Sequence, residues 1–168
     1  MSDKLTSKLV NSLDPDLRRC ESSDEMELRE VYEDAIRTCD KSLYSLEQIE
    51  AWSALAYLPG ILDKPLKNGF GWVSCVNKTI EAFALRYPSN RLALLYCRGR
   101  SSRQGHATAL LKQIEADTID ERPFILKTEA SLCSYQLLLK HGWKIIAPQE
   151  IQIGGINFSR YLMEKTLL

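Results

Sequence analysis

Histidine is almost missing from this 168-residue chain, which holds only His106 and His141. Its five cysteines, Cys20, Cys39, Cys75, Cys97 and Cys133, form no Cys-x-x-Cys pair and no Cys/His pair at zinc-site spacing, so no metal is expected. Their odd number and wide spacing read most simply as free, buried thiols in a reducing cytoplasm. Net charge is also missing. Lys+Arg and Asp+Glu stand at 22 each, and a nucleic-acid partner, which calls for a basic excess, is not expected. No apolar run approaches the ~18 residues of a membrane span, and the N-terminus has no apolar signal-peptide core. Repeats and low-complexity linkers are absent. No Lys-Ser/Thr follows a glycine, which excludes the P-loop of nucleotide hydrolases.

What is present is ordinary in amount and informative in order. Apolar residues make up 45% and charged residues 26%, enough for one domain with a full core. Residues 1–16 form a polar N-terminal arm in which Leu5, Leu9 and Leu13 could line one helical stripe. Leu17–Cys20 reads as a short strand. Ser22 with Glu25 fits a capping box opening a helix to about Cys39, with Met26, Val31, Ala35 and Ile36 available to the core. Ser45 with Gln48 repeats that signature, and Pro59-Gly60 ends the second helix. Phe70–Val76 and Ile80–Tyr87 are β-rich runs separated by Asn77-Lys78-Thr79, a hairpin signal. Leu92–Cys97 is the third strand of this succession and the fourth of the chain. A helix over 103–118, a strand over 124–128 and a helix over Ser131–Lys140 follow, with Gly142 placed as a left-handed cap. Trp143–Ala147 and Asn157–Met163 are the last strands. This order predicts an α+β fold with a mixed central β-sheet flanked by helices.

Residues 91–111 carry the densest signal. A buried strand runs into a loop with Arg98, Arg100 and Arg103, and Ala107, Ala109, Leu110, Leu111 and Ile114 then begin a helical period. Free N–H groups at such a helix start can hold an anion, although an ordinary surface loop capped by Ser102 would read the same way.

Three blocks in order resemble the GCN5-related N-acetyltransferase superfamily, in particular a bacterial acetyltransferase branch, over residues 17–165. Arg103-Gln104-Gly105-His106-Ala107-Thr108 stands where that family has its glycine-rich loop, with Ser102 in a slot usually held by Gln or Arg. Glu129-Ala130-Ser131 and Gly142-Trp143 match a later strand–helix element. Tyr44-Ser45-Leu46-Glu47-Gln48 with Ala51-Trp52 matches the second helix. The resemblance implies acetyl-CoA as co-substrate and direct transfer of its acetyl group to a primary amine, on a small molecule or a peptide. It further implies a cytoplasmic enzyme without membrane or nucleic-acid partners, and a homodimer is open. The fourth and fifth strands would splay around the cofactor. Leu95 and Cys97 would offer backbone groups to it, aided by a β-bulge in Leu92–Cys97. Arg98, Arg103, Gln104, Gly105, His106, Ala107 and Thr108 would hold the pyrophosphate, and Ser131 the pantetheine arm.

The catalytic slots depart from the pattern. The family's proposed general-acid tyrosine falls at Leu138 and its strand-borne acid at Ala93. Glu129 is then the candidate base, and Tyr135, one turn before Leu138, the candidate acid. Tyr135 could equally be a packing residue, Glu129 a solvated strand end, and Glu81 a solvent-facing strand residue. Tyr44, Trp52 and Trp72 are candidates to line the acceptor pocket, or to pack the core. Cys97 reads as a small core residue rather than a nucleophile. A CoA-binding module without turnover is the competing reading.

Overall fold

The computed structural model describes residues 15–121 and 125–167. The described elements are β1 (Asp16–Arg19), α1 (Glu25–Arg37), α2 (Leu46–Ser53), α3 (Asp63–Asn68), β2 (Phe70–Val76), β3 (Thr79–Arg86), β4 (Leu92–Cys97), α4 (His106–Glu121), β5 (Ile125–Ala130), α5 (Tyr135–Lys140), β6 (Lys144–Ile153) and β7 (Ile156–Thr166). Leu5, Leu9, Leu13 and Phe124 lie outside the described residues. The α+β architecture is as expected, with all the long ladders antiparallel.

The strands fall into two sheets, β1-β2-β3-β4 and β5-β7-β6. Among the described residues they join at one place, a parallel bridge between Arg91 and Lys127. There the Lys127 amide donates to the Asn90 carbonyl at 2.8 Å, and the Thr128 hydroxyl donates to the Leu92 carbonyl at 2.7 Å. Beyond that point β4 and β5 diverge without a shared ladder. The expected splay is therefore observed, and it leaves one edge of β4 open.

Strand parity divides the core in two. Phe83 and Leu85 of β3 pack with Leu28, Val31, Tyr32 and Ile36 of α1. Ala82 and Ala84, on the opposite face, pack with Leu110, Leu111 and Ile114 of α4. The two small alanines let α4 lie close to the sheet, and each buried leucine or isoleucine contributes about 1.5–3 kcal/mol of burial free energy. Two glycine-free positive-φ residues, Asn77 (49°) and Lys78 (68°), turn β2 into β3, the left-handed pair that a tight hairpin needs.

Four expectations are corrected. A short 3-10 turn over 22–24 precedes α1, and the Glu21 amide donates to Asp24 at 2.8 Å, so Ser22 and Glu25 do not form the box. Leu28, Val31, Tyr32 and Ile36 line the buried face of α1, so Val31 and Ile36 lie inside as expected while Met26, off that stripe, is 75% exposed. The Ser45–Gln48 box forms as expected. Helix α3 has no counterpart in the sequence reading, because Pro65 sits inside it. Helix α5 starts at Tyr135, since Ser131–Ser134 forms a turn on the Ser131 carbonyl. Finally, Cys39 and Cys133 are joined by a disulfide with Cα atoms 6.8 Å apart, leaving Cys20, Cys75 and Cys97 free. Ninety-four positions separate the partners, a pairing that spacing alone cannot reveal. No helix among the described residues is long and apolar enough to cross a membrane.

Candidate functional site

The open edge of β4 is built by its sequence. Pairing with β3 skips one residue, since Leu85 faces Leu94 while Arg86 faces Leu92. The expected bulge thus falls at Ala93. The Arg98 amide donates to the Glu81 carbonyl of β3 at 2.8 Å. Alternation along the strand then directs the backbone groups of Leu95 and Cys97 away from β3, toward the gap. The side chain of Cys97 lies on the α4 face, where burial, followed by Glu81 and Asp34, pushes its thiol up to about 11. It is a packed thiol and not a nucleophile.

The loop from β4 to α4 turns on Arg103 (φ 60°) and Gly105 (φ 90°). Gly99 also has to be glycine, because a Cβ there would stand 2.4 Å from the Thr38 hydroxyl oxygen. The first helical bond of α4 runs from the Ala109 amide to the Gly105 carbonyl. Among the described residues, no acceptor meets the amides of Arg103–Thr108. These donors and the helix dipole face outward together.

The arginines divide in a way the sequence did not show. Arg100 grips Glu81 at 2.7 Å, and Arg98 lies 3.9 Å from the same carboxylate and 3.6 Å from Glu30. Arg98 also donates to the Ile80 carbonyl. Arg98 is therefore a brace for the loop rather than a free phosphate ligand. Glu81 is buried, not solvent-facing. Burial alone would raise its pKa, but Arg100, Ser101 and Arg98 overcome that and hold it below the usual carboxylate value. Gln104 donates to the Arg100 carbonyl at 3.3 Å. Among the described residues Arg103 is exposed and makes no ion pair, and it remains the loop's available cation.

His106 is corrected as well. Its side chain is 1% exposed, with Nδ1 2.7 Å from the Ser74 hydroxyl and Nε2 buried without a partner. Only its backbone amide is presented to an anion. Burial lowers the imidazole pKa, against a smaller upward pull from Glu81. Protonation is therefore harder in the folded protein than in the unfolded chain, and stability falls as pH drops below the mid-6s. Urea denaturation at pH 7.5 and 5.5 should show that fall, and His106→Asn should flatten it. An equal slope in both proteins would remove His106 as its origin. The Thr108 hydroxyl is 3.4 Å from His141 Nε2, and Ala107 sits partly buried beside it.

On the opposite face of the sheet, the gap between β4 and β5 opens into a cavity of about 250 Å³. Tyr32, Tyr44, Trp52, Tyr96 and Phe158 supply its rings, with centroids 4.5–6.4 Å apart. The Tyr44 hydroxyl accepts the Leu132 amide at 2.8 Å, and Ser131 and Ser134 sit 3.1 Å apart at the rim. The β6–β7 hairpin closes one wall and is tied to α2 by Gln48, which donates to the Asn157 carbonyl at 2.9 Å. Glu129 lines this cavity and is held by Arg91 at 2.8 Å.

Of the expected pocket aromatics, Tyr44 and Trp52 are there and Trp72 is not. Trp72 faces Ala84 across the ladder, which puts it on the α4 side. Its indole donates to Asp117 at 2.7 Å, beneath the Arg19 guanidinium. Tyr135 is also outside the cavity, packed on Tyr161 with ring centroids 4.8 Å apart. Leu138, buried, lines the cavity. The rings of Tyr32, Tyr96 and Phe158, with Arg91 and Arg160, went unflagged. Each sits in an apolar or strand period where core packing is the default reading, and only the splay turns them toward a common void.

A parallel β4–β5 pair that separates past one bridge, beside a glycine turn opening a central helix, sets the comparison with known structures. The GCN5-related N-acetyltransferase from Rhodopseudomonas palustris superposes with a TM-score of 0.86 at 21% identity, covering 91% of this chain and 96% of that one. The chain has the GCN5-related N-acetyltransferase fold. The PaiA N-acetyltransferase from Thermoplasma acidophilum, solved in complex with coenzyme A, shares this acetyltransferase fold with a TM-score of 0.71 at 18% identity (91% and 99% covered). The ribosomal-protein-alanine N-acetyltransferase from Brucella melitensis gives 0.64 at 15% identity (90% and 99%). No family model matches the sequence, and no curated protein sequence matches it. Among the described residues no cluster of His, Cys, Asp and Glu could hold a metal ion.

Proposed function

We propose that the protein is an acetyl-CoA-dependent N-acetyltransferase acting on a primary amine. The observation that carries this reading is the open β4 edge beside the unmet amides of 103–108. The pyrophosphate would sit on those amides with Arg103, the pantetheine amides would pair with backbone groups of Leu95 and Cys97, and Ser131 would stand beside that arm. The thioester then reaches the splay, where the aromatic cavity meets it from the other side.

In the reaction a neutral amine attacks the thioester carbonyl carbon, the C–N bond forms, the C–S bond breaks, and the thiolate takes up a proton. The ammonium must first lose a proton. Glu129 is the carboxylate at the cavity, and Arg91 fixes its orientation, so Glu129 is assigned as the group that receives this proton directly or through a water. Backbone donors polarise the thioester oxygen. Tyr135 packs on Tyr161 outside the cavity, so in this reading the thiolate takes its proton from water.

That missing donor favours a second reading, a module that binds acyl-CoA without turnover, because Leu138 fills the donor's place. Calorimetry with acetyl-CoA and a thiol-release assay over an amine panel separate the two. Transfer predicts acetyl-CoA binding, thiol release dependent on one class of amine, and a 10²–10⁴-fold lower kcat in Glu129→Gln. Binding with no release above background hydrolysis selects the module instead.

A further inference from the structure

The acceptor cavity has an unbalanced charge. Three charged side chains line it, the guanidiniums of Arg91 and Arg160 and the carboxylate of Glu129. Arg91 is matched to Glu129 at 2.8 Å. Arg160 has only a neutral partner among the described residues: its Nε donates to the Gln149 side-chain oxygen at 2.6 Å. Two cations against one carboxylate leave the cavity one positive charge in excess.

The position of that charge is set by the strand. Phe158 and Arg160 are two residues apart on β7 and so project from the same face. Phe158 lies in the aromatic cluster, 6.2 Å from Tyr44 and 6.4 Å from Trp52 by ring centroid. Arg160 therefore stands at the edge of the ring-lined space. Gln149, directly across the ladder, occupies one guanidinium edge. The terminal nitrogens meet no protein acceptor among the described residues. A planar guanidinium with its outer edge free suits a carboxylate, which it can meet through two parallel hydrogen bonds.

The rest of the cavity narrows the ligand. Its walls are rings and aliphatic chains, including Leu55, Ile61 and Ile153. A volume of about 250 Å³ falls below the ~300 Å³ at which drug-sized ligand pockets begin. The ligand is a compact apolar group. A polyamine is disfavoured, because the cavity's single carboxylate is already paired and the surplus charge repels a second ammonium.

From this cluster we infer that the acceptor is a small hydrophobic α-amino acid, its apolar side chain among Tyr44, Trp52, Tyr96 and Phe158 and its carboxylate on Arg160. The inference rests on the acetyl-transfer reading for the identity of the reacting amine, while the binding step it describes does not require turnover.

Titration of the protein saturated with coenzyme A, which cannot acetylate, separates the two. L-phenylalanine is expected to bind at least ~10-fold more tightly than phenethylamine, the same molecule without the carboxylate, and spermidine more weakly than either. Arg160→Gln should bring phenylalanine and phenethylamine to within about threefold of each other, and Arg160→Lys should keep part of the preference. Circular dichroism and thermal unfolding identify a variant that has failed to fold, and in that case the wild-type comparison and the lysine variant decide. Equal affinity for phenylalanine and phenethylamine, or a preference for spermidine, overturns the inference. Acetylation of other amines without that preference leaves the transfer reading standing alone. Phenylalanine binding without acetyl transfer does the reverse.

Discussion

Gly105→Glu is expected to weaken coenzyme A binding by at least ~100-fold, two effects adding in one substitution. Gly105 holds φ at 90°, a conformation that costs an L-residue about 1–2 kcal/mol, and this alone approaches a tenfold loss if the loop relaxes. The new carboxylate would then stand among the amides of 103–108, where the proposed pyrophosphate brings like charge into a partly dehydrated site. A Cβ at this position meets nothing within 4 Å, so crowding by neighbours does not contribute. Gly105→Ala therefore isolates the backbone effect and should lose only about tenfold. Calorimetry with coenzyme A measures both. Unchanged affinity in the glutamate variant would mean that this loop is not the phosphate grip.

The second large effect is on stability. Trp143→Ala should lower the free energy of unfolding by about 3–5 kcal/mol, which for a domain of this size moves the thermal midpoint down by about 6–20 °C. Trp143 is 2% exposed, in the core beneath α4. Its indole N–H donates to Glu115 at 2.9 Å, and the other oxygen of Glu115 accepts from Lys165 at 2.9 Å. Lys165 also donates to the His141 carbonyl at 2.7 Å. Removing the ring opens a cavity between α4 and the second sheet and takes a donor from a half-buried carboxylate. Trp143→Phe keeps most of the volume and should cost less than half as much. Urea denaturation of the three proteins checks the order, and a loss under about 1 kcal/mol in the alanine variant would show that this corner does not tie the sheet to α4.

Much of the fold is local and was therefore readable. Strand periods placed β2 and β4 at the limits the structure shows, and the Ser45–Gln48 box and Gly142 cap mark helix ends through interactions that span only a few residues. The errors were local too. Met26 lies off the buried stripe of α1 that Val31 and Ile36 share with Leu28 and Tyr32, and a proline inside α3 hid a short helix. The glycine loop was legible as an anion site because its signal is a run of backbone donors. Its arginines were not, since the partner of Arg98 and Arg100 is Glu81, brought from a neighbouring strand.

The candidate acceptor site shows the same division. Tyr44, just before the Ser45 cap of α2, and Trp52, within that helix, are near neighbours in sequence and were found together. Trp72 was placed with them and belongs to the other face, a matter of strand parity that depends on which side α4 covers. The Arg91–Glu129 pair spans 38 positions, and the Cys39–Cys133 disulfide spans 94. By itself the sequence determined the order of the elements other than α3 and the loop of free amides, because these follow from periodicity and capping between near neighbours, while the bulge in the fourth strand came from the family resemblance. Tertiary structure alone decided which side chains share a cavity, which arginines are neutralised and which one is left over. Those outcomes depend on contacts between segments far apart in the chain, where charge and burial are settled by packing rather than by spacing.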